Sequence, residues 1–132
     1  MYYKILISFL ILLTSNMLTA KNYMMNCTSP DFKSSAFYKF NSIDEKLFIR
    51  PVKQKWKDFC EVYVQNEDRV SCSFNKSNII RSSIVKKDYN KLEKIYEINF
   101  VEYTLIETVK LYKNNSLKDE TNTAFKCRKI KI

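Results

Sequence analysis

The chain has 132 residues, 45% hydrophobic and 14% aromatic, enough apolar surface to offset the ordering entropy of one compact domain, which excludes wholesale disorder. It contains no His and no Gly. That removes Ser-His-Asp and Cys-His pairs, H-E-x-x-H zinc sites, phosphate-cradling glycine loops and EF-hand loops, while a formal charge of +9 favours contact with anionic partners in a field that salt screens.

Residues 1–20 read as a secretory signal. Lys4 opens it, Ile5 to Leu13 form an apolar run broken only by Ser8, and Leu18-Thr19-Ala20 ends in a small residue suited to cleavage. The run reaches Asn16 before it attains the roughly 20 residues that a membrane-spanning helix needs. The mature protein is therefore expected without a transmembrane helix, as a single domain over 21–132, periplasmic or secreted. Export takes the four cysteines, Cys27, Cys60, Cys72 and Cys127, into an oxidising compartment, where an even number of thiols usually pairs into structural bridges. A metal site is not expected, because no C-x-x-C and no His is present.

Beyond the signal the pattern is one of short strands and polar turns. Ala36, Tyr38 and Phe40 alternate with Phe37 and Lys39, Asn41 to Glu45 interrupt the alternation, and Leu47 to Arg50 resume it until Pro51, which predicts a hairpin. A second hairpin is expected from Trp56, Cys60, Val62 and Val64 on one core-facing side, a turn at Gln65 to Asp68, and Val70, Cys72 and Phe74 on the partner. Ile79 to Lys87 carry a β-branched run, and Glu93 to Val101 alternate with Tyr96, Ile98 and Phe100 on one side. The segment 103–112 fits either one helix face or a strand, and its Thr and Val content favours strand. Polar residues from Asn114 to Asn122 form a long connection, and Phe125, Cys127 and Lys129 alternate in a last strand.

The expected fold is thus all-β and mostly antiparallel, a small disulfide-bonded sandwich or barrel of about seven or eight short strands. Without Gly, turns of four or five residues are expected in place of tight two-residue ones, with Asn41, Asn66 and Asn114 or Asn115 as candidates for left-handed backbone. Spacing alone leaves the cysteine pairing open. If Val62 faces Val70 across the second hairpin, Cys60 lies opposite Cys72, and Cys27 then joins Cys127.

Three functional readings follow. The first is a non-enzymatic binding or accessory module. Lys53, Lys55 and Lys57 share one face of an extended segment with Phe59 and Tyr63, and Lys126 and Arg128 extend the patch from the last strand. Such a surface suits phosphate, sulfate or carboxylate groups, on phospholipid headgroups or glycans, although Lys also serves simply to protect strand edges. No specific nucleic-acid motif and no cofactor signature is present. The second is a carrier whose barrel interior holds a small apolar ligand, suggested by nine Tyr and nine Phe. The third is a carboxylate-based hydrolase, which requires two of Glu93, Glu97, Glu102 and Glu107 to converge at a cleft.

In size, and in Phe125-Lys126-Cys127 near the end, the chain resembles the small periplasmic inhibitors of c-type lysozyme, themselves exported, disulfide-bonded antiparallel β proteins. The resemblance implies an architecture only, since their Ser-Gly-x-x-Tyr loop requires a Gly that this chain lacks.

Overall fold

In a computed structural model the chain is described over residues 21–61 and 67–131. The expected signal at 1–20, together with residues 62–66 and 132, lies outside the described residues. Among the described residues nine antiparallel strands form one curved sheet, a half-barrel. They are β1 (Asn22–Thr28), β2 (Ser35–Asn41), β3 (Lys46–Pro51), β4 (Lys57–Asp58), β5 (Glu67–Asn75), β6 (Asn78–Lys87), β7 (Asn90–Asn99), β8 (Thr104–Lys113) and β9 (Ser116–Lys129). No helix among the described residues is long and apolar enough to cross a membrane.

The spatial order β4-β3-β2-β1-β9-β8-β7-β6-β5 is two meanders joined at the middle. Strand β9 is the joint. Its first part pairs β8 from Ser116 to Phe125, and its last residues pair β1 from Lys126 to Lys129. The polar stretch expected to be a loop is therefore strand up to Asn122. Its residues read as polar because they stay exposed while their backbone groups pair with β8. The ambiguous segment at 103–112 is strand β8, with Tyr103 left in the preceding turn.

Alternation sends one side of each strand inward. Met25, Cys27, Ala36, Tyr38, Phe40, Leu47, Phe59, Ile79, Ile98, Phe100 and Leu105 make the core. Aromatic rings dominate its centre: Phe40 stacks on Phe100 at 5.6 Å and on Phe74 at 6.0 Å, with Tyr23 against both Phe40 and Phe100.

Both disulfides connect the expected cysteines, Cys27 to Cys127 and Cys60 to Cys72, as an oxidising, extracellular-type compartment favours. Cys27 and Cys127 face each other across the β1–β9 ladder. The other bridge arises differently from the expected hairpin. Strand β5 pairs β6, and Lys57–Asp58 pair β3, so β4 and β5 are the two outer edges of the sheet. Cys60 lies in a turn after β4, and its bond to Cys72 ties one edge to the other. Glu67 and Asp68, expected in a turn, already belong to β5. The two-residue length of β4 also changes which side chain goes inward: Phe59 is buried, whereas Trp56 packs on the outer surface.

Two kinds of turn recur. Asn41 and Asn99 each head a four-residue connection, accepting hydrogen bonds at Oδ1 from Ile43 and Asp44 and from Val101 and Glu102, and the left-handed position closes it at Glu45 or Tyr103. The expectation of left-handed Asn41 is thus replaced by an Asn that caps the turn from outside. Asn66 is outside the described residues. Of the other hairpins, β1–β2 and β3–β4 have longer loops, at 29–34 and 52–56, and three have two-residue loops, tighter than expected: Lys76-Ser77, Asp88-Tyr89 and Asn114-Asn115. Asn114 and Asn115 both take positive φ, 52° and 63°, the geometry of a type I′ turn, for which Asn is the best non-Gly residue.

Candidate functional site

The outward face of β1 to β4 and of the end of β9 carries an unusual row. Register places Arg128 of β9 beside Asn26 of β1, Asn26 beside Phe37 of β2, and Phe37 beside Arg50 of β3. Trp56, just before β4, completes it. The Arg50 guanidinium carbon lies 4.8 Å from the Phe37 ring centre and 5.4 Å from that of Trp56, so two rings hold one cation. In the neighbouring row Lys39 Nζ sits 4.5 Å from the Trp56 ring and 5.3 Å from Phe48. These side chains belong to the same strands as the core yet take no part in it, because they occupy the opposite parity of each strand.

Electrostatically this face is unbalanced. Among the described residues no carboxylate reaches Lys39, Arg50, Lys126 or Arg128 within ion-pair distance; Asp58 and Glu61 engage Lys46 instead. Lys126 and Arg128 are exposed at the β9 end of the face. Lys53 and Lys55 are exposed in the segment leading to Trp56, whereas Lys57 is exposed at the sheet edge opposite Ile49, on the other parity, so the three do not form the expected straight stripe. Lys53 sits at φ 62° in a turn where the Gln54 amide donates to the Pro51 carbonyl, and Lys57 Nζ donates to Gln54 Oε1 at 3.1 Å. Phe59, expected on the surface beside them, is in the core, and Tyr63 is outside the described residues. The predicted basic residues therefore flank a cation–aromatic centre that the sequence reading passed over. The signal for that centre was available: Phe37 and Lys39 alternate with the core residues of β2, and Phe48 and Arg50 with those of β3.

The inner face holds a second polar cluster. Arg81 of β6 is fully buried; Nε donates to the Phe59 carbonyl at 2.7 Å, one terminal nitrogen meets Glu67 Oε2 at 3.2 Å, and the guanidinium lies 4.0 Å from the Phe59 ring centre. Burial, and after it the hydrogen bond and negative charge of Glu107, pushes the Tyr96 phenol well above its usual range; burial and Glu107 act the same way on Tyr38, with Arg81 opposing. Arg81, braced by Glu67 of β5, reaches across the gap between β5 and β4 to the Phe59 carbonyl and ring, and this geometry assigns the cluster to holding the two edges of the half-barrel together.

The four glutamates do not converge. Glu97 pairs with Ile106 and Glu107 with Tyr96, on opposite faces of the sheet; Glu93 pairs with Lys110, and Glu102 is exposed in a loop. Comparison with known proteins returned nothing to set beside this arrangement: no family model, no curated protein and no solved structure matches the chain.

Proposed function

We propose that this chain is an exported, non-enzymatic binding module, periplasmic or secreted, that docks an anionic polymer on the outer face of β1 to β4 and the end of β9. The observation that carries this reading is the set of unneutralised cations held among exposed-side aromatic rings, with Lys39 and Arg50 already fixed against Phe37, Phe48 and Trp56. Fixing a long cationic side chain before a partner arrives lowers the entropy lost on binding, and the surrounding lysines add a field that attracts polyanions. The carrier reading has less support, because the Tyr and Phe rings inside the sheet are stacked on one another. Dispersed glutamates leave the hydrolase reading without a paired-carboxylate site.

The test compares two triple variants of equal charge loss on a sulfonate or heparin resin. Replacing Lys39, Lys126 and Arg128 with Ser is expected to lower the eluting salt concentration clearly more than replacing Lys86, Lys87 and Lys113, which lie at the far hairpin ends. Equal shifts would mean that only net charge is being read, and the proposed face would be abandoned.

A further inference from the structure

We infer that the ligand of this face is a sulfated polysaccharide and that Arg50 is its specificity-determining contact. The inference rests on the anion-binding reading above. Arg50 lies between Phe37 and Trp56, and neither an ion pair nor a side-chain hydrogen bond to another described residue engages its guanidinium. Held against rings instead of a carboxylate, this guanidinium keeps its N–H donors for an outside partner, in the fork that matches two oxygens of a sulfate or phosphate group. A lysine in the same place supplies the charge without the fork.

The shape of the face favours a linear chain with repeated charges. Arg50 and Arg128 stand in one row three strands apart, which at about 4.8 Å per strand separates their backbones by roughly 14 Å. Asn26 between them spends its amide on Ser35 Oγ and the Ala36 carbonyl, so the charged contacts of the row lie at Arg50 and Arg128. Single-stranded nucleic acid binds chiefly by laying its bases on open aromatic faces. Here the rings at the centre of the site are engaged by Lys39 and Arg50, which favours a polymer recognised by its charged groups. The two disulfides fit a compartment of the extracellular type, where sulfated glycans are a natural polyanion. An anionic bilayer is the less suitable partner, because the rings at the site pack under cations and are not free to insert.

Trp56 is the chain's single Trp, so its fluorescence reports from inside the site. In titrations of the oxidised protein, heparin is expected to bind more tightly than oligo-dT of similar charge, hyaluronate or vesicles containing phosphatidylserine. Arg50→Lys is expected to weaken heparin binding at least roughly tenfold while preserving charge, the scale of losing a bidentate charge-assisted contact. Arg128→Lys, on an exposed strand position that tolerates the change, is expected to weaken it in the same sense. Heparin affinity unchanged in both lysine variants would overturn the guanidinium assignment and leave the anion-binding module standing. Tighter binding of oligo-dT, hyaluronate or vesicles would overturn the sulfated-glycan assignment. Absence of wild-type binding to every probe would remove both readings together.

Discussion

A chain without Gly must place side chains where backbone geometry favours none. Positive φ occurs at Phe32, Glu45, Lys53, Lys76, Asp88 and Tyr103 as well as at Asn114 and Asn115, and for an ordinary residue such a position costs about 1–2 kcal/mol. Lys76 is the cleanest case, at φ 56° on the first position of an exposed two-residue hairpin, where Gly is preferred. Lys76→Gly is expected to raise stability by about 0.5–1 kcal/mol, the relieved strain less the added unfolded-state entropy. A melting temperature equal to or below wild type would contradict it. The buried phenols give a second expectation at this scale. Tyr38 and Tyr96 hold their protons in the folded chain to a higher pH than the usual phenol value, so above about pH 10 the unfolded state releases protons that the folded state keeps. Stability is then full below that pH and falls as the pH rises, by up to about 1.4 kcal/mol per unit for each phenol. Denaturant titrations between pH 9 and 12 should show a shallower decline for Tyr38→Phe than for wild type.

Individual elements were legible where burial followed parity and illegible where a neighbour decided the matter. The alternation in β2 and β7 is plain in the sequence because apolar residues fill the core face of each. The first part of β9 shows no such alternation, since both of its faces are exposed there, and only its pairing with β8 makes it a strand. The site was half legible for the same reason: Lys126 and Arg128 announce themselves as charges, whereas the worth of Arg50 depends on Phe37 and Trp56, which lie on two other segments of the chain. Arg81 was hidden among Ile and Ser residues of a β-branched run, and its inward position becomes sensible only once Glu67 and Phe59 are brought to it from either side of the seam. The seam itself offers a test. Cys60→Ser with Cys72→Ser removes a loop-closing bond whose chain-entropy value is about 3 kcal/mol for this spacing, and it exposes the Arg81–Glu67 pair to water. The double variant is expected to melt substantially lower while Cys27–Cys127 remains intact. An unchanged melting curve would show that the edges hold each other without the covalent tie.

At the scale of the whole molecule, the half-barrel separates its core from its outward cations by face. The concave side collects the stacked rings and the buried Arg81, and the convex side of the β1–β4 half keeps cations that no carboxylate among the described residues neutralises. Binding as proposed, on the outside of a half-barrel whose edges are bridged by a disulfide, needs no cavity and no moving part, so it is expected to leave the fold unchanged. The order of the strands also dictates the order of construction. Strands β1 to β4 can pair as they are made, and β5 to β8 likewise, but the two meanders have only β9 in common, and β9 follows all the others in the chain. Until it arrives, β1 and β8 each present an open edge, and the joining step brings together residues a hundred positions apart, Cys27 and Cys127. Contacts of such separation form slowly, so the folding chain passes through a period with two half-sheets and exposed strand edges, the interval in which it is most open to wrong pairing.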